Sequence, residues 1–201
     1  MIEMKNLDSN LIQERFSNTL LEIADQVKKI SNSIDLSQVI KLNDLIIEVK
    51  SNNGRIFIYG AGRSGFIGRC FAQRLMHLGF KSCFISDAVT YRYSKEDLLI
   101  LVSGSGETTS PKAIAKEAKK IGGKIALFTG NPKSTIEMLS DLTIKVEGKS
   151  KENAISKESL APFTSLFDIS TLSILDSIAA SLMVLLGITE KDINERHASI
   201  E

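Results

Sequence analysis

Several things are scarce in this 201-residue chain, and each shortage narrows what it can be. There are two cysteines, Cys70 and Cys83, without metal-type spacing. That argues against a disulfide scaffold or a cysteine metal centre, and both read as reduced, buried thiols of a cytoplasmic protein. Net charge is almost absent, at +1 from 25 basic and 24 acidic residues. Such a balance points to neither nucleic acid nor a membrane surface as a partner. No leader is visible in the opening Met-Ile-Glu-Met-Lys-Asn. The longest apolar run, residues 178–188, is interrupted by Ser181 and Gly187 and is too short to cross a bilayer. No internal repeat is visible.

What is present suits one globular domain. With 43% hydrophobic residues, a chain of this length can bury a core without staples. Leu11, Ile12, Phe16, Leu20, Ile23, Val27 and Ile30 recur at helical spacing. Asp35 or Ser37 caps a second helix, with Val39, Leu42, Leu45, Ile46 and Val49 on its apolar stripe. These two helices form an N-terminal extension over residues 1–53, and their apolar faces suit either this chain or a partner subunit. Over residues 54–201 strands alternate with helices, the strands at 55–59, 81–86, 98–102, 124–129 and 142–146. The alternation predicts a three-layer α/β fold, a five-stranded parallel sheet with helices on both faces. Residues 147–159 are lysine-rich and aperiodic and read as a loop. A long helix starts at Ala161-Pro162-Phe163, and Thr189 caps a short one ending at Arg196-His197.

The most informative stretch is Leu98 to Thr109. Leu98-Leu-Ile-Leu-Val102 is apolar throughout, as in a strand buried on both faces. It stops at Ser103-Gly104-Ser105-Gly106, and Glu107, Thr108, Thr109, Ser110 and Pro111 then open a helix. Strand, small hydroxylated loop and helix N-terminus aim N–H groups and hydroxyls at one spot, which suits a phosphate. No Gly-Lys-Ser/Thr follows at Walker spacing, so the site reads as one for a monophosphate with no obligatory metal. A second loop, Gly60-Ala-Gly62-Arg63-Ser64-Gly65, follows the first strand. It matches the dinucleotide fingerprint, with Asp87 near the place of a ribose-binding carboxylate, so NAD binding is one reading. The other is that neighbouring first and third strands open both loops onto one phosphorylated ligand, with Ser64 donating beside Ser105 and Thr108.

These motifs together resemble the sugar isomerase (SIS) domain family, and within it the 6-phospho-3-hexuloisomerases. The matching pieces are Gly60-Ala-Gly-Arg-Ser-Gly65, Phe71-Ala-Gln-Arg-Leu-Met-His-Leu-Gly-Phe80, Val102-Ser-Gly-Ser-Gly-Glu-Thr108, Leu160-Ala-Pro162 with Leu166-Phe167, and Arg196-His197-Ala198. The resemblance implies a single SIS domain with a flavodoxin-like sheet, in a homo-oligomer expected to be a tetramer. It implies cofactor-free interconversion of D-arabino-hex-3-ulose 6-phosphate and fructose 6-phosphate by proton transfer through a cis-enediol. Phosphate contacts carry over to Ser64, Ser103, Gly104, Ser105, Gly106, Glu107, Thr108 and Thr109. The family's base is a glutamate closing Ala-Pro-x-Gly-Thr-x-Phe-Glu. Here the stretch is Ala161-Pro-Phe-Thr164-Ser165-Leu-Phe167-Asp168, so Asp168 stands where glutamate is expected and Thr-Ser replaces Gly-Thr. His197 is the second catalytic candidate, serving its own or a neighbouring subunit's site. His77 reads as a helix-end cap. The alternatives are an isomerase of another phosphosugar, a phosphosugar-binding regulatory module, or an NAD-dependent enzyme. A regulator would carry a DNA-binding domain, and the first fifty residues show no basic reading face.

Overall fold

The computed structural model describes residues 9–148 and 159–200. Two helices lead, α1 (Ser9–Ser33) and α2 (Leu36–Ser51), the second capped by Asp35, whose carboxylate accepts from the Ser37 amide at 2.9 Å. Five strands follow: β1 (Ile56–Gly60), β2 (Ser82–Phe84), β3 (Leu98–Val102), β4 (Lys124–Thr129) and β5 (Leu142–Lys145). Helices α3 (Arg63–His77) and α4 (Thr109–Ile121) leave β1 and β3, and α5 (Ser165–Leu186) and α6 (Glu190–Arg196) close the chain. The strands form one parallel sheet in the order β2-β1-β3-β4-β5.

Side chains alternate across the sheet with a period of two, which divides the core in two. Ile56, Ile58, Leu98, Ile100, Val102, Ala126 and Phe128 belong to the cluster under α2, α3 and α5. Phe57, Leu99, Leu101, Ile125 and Leu127 pack with Ala115 and Ala118 of α4. All five residues of β3 are buried, as its unbroken apolar run requires of a strand covered on both faces. Most of the expected architecture is therefore observed, with β2 shorter than its apolar run.

Three expectations need correction. The long helix starts at Ser165, not at Ala161-Pro162-Phe163, because Thr164 is left-handed at φ 60° and blocks a helical turn before it. The apolar run 178–188, read as too short to cross a bilayer, overlaps the second half of this longer apolar helix. At 22 residues, with only Asp168 and Asp176 charged, α5 has the length and composition of a membrane span, yet its buried stripe packs on α3 and α1. Cys70 is exposed, whereas Cys83 is buried as expected. On α3 the buried line runs through Ile67, Phe71 and Leu75, and Cys70 falls off it. The expected loop at 147–159 lies almost wholly outside the described residues. The second half of α1 packs on α5, while Leu11, Ile12, Phe16, Leu20 and Leu21 of its first half are exposed.

Candidate functional site

β1 and β3 are neighbours, and the chain leaves them in opposite directions, β2 beside β1 and β4 beside β3. Such a switch point opens a crevice at the carboxyl ends of the two strands. A cavity of about 230 Å³ lies there. Its wall takes Ala61 to Ser64 from the loop after β1, Ser103 to Ser105 and Thr108 from the loop after β3, and Phe163, Thr164 and Phe167 from the start of α5.

The β3 loop is a donor-rich cradle. Ser103 is 3% exposed, and its hydroxyl meets no partner among the described residues. Its amide donates to Phe128 O at 3.0 Å, which ties the loop to β4. The amides of Gly104, Ser105 and Thr108 meet no acceptor among the described residues. Buried polar groups are almost always paired, so a hydroxyl and amides without partners among the described residues are donors that a ligand could use. The position of α4 behind Thr108 adds the positive end of a helix dipole. Gly106 makes the turn possible. Its φ is 63°, its amide donates to Ser103 O at 3.0 Å, and an added Cβ would overlap the Ser134 side chain.

Glu107 faces away from the cavity. Its carboxylate accepts from the Thr135 amide at 2.5 Å, the Thr135 hydroxyl at 2.9 Å and Lys112 Nζ at 3.1 Å. Those three donors, the Thr135 amide first, hold its pKa down at about 2. It braces the loop against the segment after β4.

Asp168 lies behind the other wall. It is 2% exposed and does not line the cavity. Its Oδ2 accepts from Arg63 Nε at 2.8 Å and Thr164 Oγ1 at 2.8 Å, and its Oδ1 accepts from Ser64 Oγ at 3.3 Å. All three donors belong to residues that do line the cavity. Among the described residues the wall itself carries no carboxylate and no imidazole.

Comparison with known proteins gives the family. A model of the SIS domain matches residues 50–184. The chain belongs to the SIS domain family. The 3-hexulose-6-phosphate isomerase of Methanocaldococcus jannaschii is 43% identical over 159 residues, 79% of this chain and 82% of that protein. The enzyme of the same name from Bacillus subtilis is 33% identical over 180 residues, 89% of this chain and 97% of that one. A Methanococcus jannaschii crystal structure said to infer a molecular function of 3-hexulose-6-phosphate isomerase covers 92% of this chain and 98% of its own, at 38% identity and a TM-score of 0.76.

Within this SIS domain the structure gathers Ser64, Ser103, Gly104, Ser105 and Thr108 around one cavity. Gly106, Glu107 and Thr109 are not in its wall: Gly106 turns the chain, Glu107 braces it, and Thr109 begins α4 on the outside. His197 is also set apart. It follows α6, and its ring stacks on buried His77 at the far end of α3, centroids 4.8 Å apart. α3 is about 22 Å long and begins at the cavity, so His197 is out of reach within one chain. His77 stands at the helix end where the sequence puts it, and it is buried there. The Arg69–Asp87 ion pair occupies the carboxylate that the NAD reading needs. Arg63, which the sequence offers along with Arg74 as a source of positive potential near a phosphate, lines the cavity, whereas Thr164 was not singled out as a site residue. The signal for Thr164 was its place at the motif's glycine, where a positive φ is indeed required.

Proposed function

We propose that this sugar-phosphate isomerase interconverts D-arabino-hex-3-ulose 6-phosphate and fructose 6-phosphate. The observation that carries the reading is the cradle at Ser103 to Thr108, with a buried hydroxyl and amides that meet no partner among the described residues, at the head of a helix. These groups supply donors for a doubly charged phosphate ester, and the family relationship supplies the class of reaction. The reading places the ester on Ser103, Gly104, Ser105 and Thr108, which leaves the sugar chain toward Arg63, Ser64 and Thr164.

The chemistry moves a carbonyl from C3 to C2. A base takes the proton from C2, a cis-enediol forms with hydroxyls on both carbons, a proton returns to C3, and O2 gives up its proton to become the carbonyl oxygen. Phosphate binding holds the sugar in place for both transfers. The resemblance gives the base role to Asp168, but its oxygens accept from Arg63, Ser64 and Thr164, and to act as base it must release a lone pair to the substrate; if it does not, the proton transfer falls to another group. In a homo-oligomer His197 of a second copy is the other group the resemblance offers.

A second reading, isomerisation of another phosphosugar, is favoured by Thr164 and Asp168 standing where the hexuloisomerase motif has glycine and glutamate. The test is turnover by the purified protein, read by coupling fructose 6-phosphate formation to a nicotinamide assay. Formation of fructose 6-phosphate from the 3-hexulose ester supports the reading. Turnover of an aldose phosphate alone supports the second, and binding without turnover of either refutes both.

A further inference from the structure

Asp168 is a buried charge with three donors, and burial of an ion is tolerated only with such pairing. An ionised carboxylate can only accept, so the Ser64 and Thr164 hydroxyl protons and the Arg63 Nε proton all point at it. Two consequences reach the cavity. The hydroxyl oxygens of Ser64 and Thr164 are left with lone pairs to offer a ligand. The Arg63 guanidinium spends only Nε on Asp168, so its two Nη groups remain on a side chain that is 62% exposed and lines the cavity. Thr164 adopts a left-handed backbone that a non-glycine residue takes only at a cost. Its hydroxyl bond to Asp168 is what that conformation delivers.

We propose that Asp168 is a positioning residue: it fixes the Arg63 guanidinium against the cavity and turns the Ser64 and Thr164 oxygens, as acceptors, toward the sugar hydroxyls. Arg63 is then the group that touches the substrate, donating to the oxygen that gains charge as the enediol forms. The inference rests on the reading of the cavity as a phosphosugar site.

The test combines Asp168→Asn, Arg63→Met and the double variant. Fructose 6-phosphate affinity is read by calorimetry, kcat by the coupled assay, and folding by thermal melts. Each single change is expected to weaken binding on the order of tenfold, the loss of one charge-assisted hydrogen bond. The double variant is expected to bind no more weakly than the worse single one, because Asp168 acts through Arg63. Asp168→Glu keeps the charge and serves if Asp168→Asn does not fold. The extra methylene pushes Arg63 out of place, so binding falls in that variant too.

If Asp168 were the base, Asp168→Asn would keep full affinity and lose turnover. Asp168→Glu would restore the family's own carboxylate and keep or raise kcat, and the turnover loss would persist with Arg63 changed. Any of these outcomes overturns the proposal. Failure of the wild-type protein to bind either fructose 6-phosphate or inorganic phosphate would instead sink the phosphosugar reading. Unchanged Asp168→Asn affinity beside normal wild-type binding sinks only the role of Asp168.

Discussion

Replacing Ser103 by alanine should move stability and binding in opposite directions. The Ser103 hydroxyl is buried, its residue 3% exposed, without a partner among the described residues. An unsatisfied buried hydroxyl costs about 1–3 kcal/mol. Removing one oxygen leaves little void, so most of that cost is recovered in the unliganded protein. For a domain of this size each kcal/mol raises Tm by roughly 2–4 °C. Ser103→Ala is therefore expected to melt higher than the wild type by a few degrees. In the complex the same hydroxyl donates to a charged phosphate oxygen, a bond worth about 1.5–3 kcal/mol. Its loss should weaken fructose 6-phosphate by roughly 10- to 150-fold. Scanning calorimetry and titration calorimetry on one preparation read both quantities. A variant that melts lower and binds as well as the wild type would refute the reasoning, since the hydroxyl would then be a structural group.

Three other outcomes follow from the site and its supports. Gly106→Ala is expected to destabilise the protein by at least about 2 kcal/mol and to lower phosphosugar affinity, because its left-handed φ and the Ser134 overlap both penalise a Cβ; chemical denaturation and titration measure the two effects. Glu107 contributes stability that is fully present above its unfolded pKa near 4.5 and is lost as pH falls toward about 2, so Glu107→Gln should flatten the acid side of a Tm-against-pH curve. Thiol titration of the native protein should find Cys70 reacting promptly and Cys83 only after unfolding.

Much of the architecture was legible in the chain. Unbroken apolar runs such as Leu98 to Val102 announce doubly covered strands, and helices between them announce parallel pairing. Which strands are neighbours is not written in that pattern, because a period of two fixes faces and not order. The meeting of the two loops depends on β1 lying beside β3, a tertiary fact. The posture of Asp168 was hidden for a related reason, since its partners Arg63 and Ser64 are more than a hundred positions away in sequence. Motif position told that a carboxylate would lie close to the cavity but not which way its oxygens turn. Glu107 shows the same gap: its place in the loop motif is fixed, while Thr135, which claims its carboxylate, comes from another loop. Pro162 suggested the first turn of a helix, and the left-handed Thr164 that postpones it leaves no trace in hydrophobic periodicity.

The central claim is that the loop after β3 grips a phosphate while the loop after β1 faces the sugar. A crystal structure of the protein with fructose 6-phosphate tests it most directly. The phosphate should lie within hydrogen-bond distance of the Ser103 hydroxyl and the Gly104, Ser105 and Thr108 amides, with the ketose carbons beside Arg63. A phosphate bound elsewhere, or those amides still facing solvent with ligand present, would contradict it.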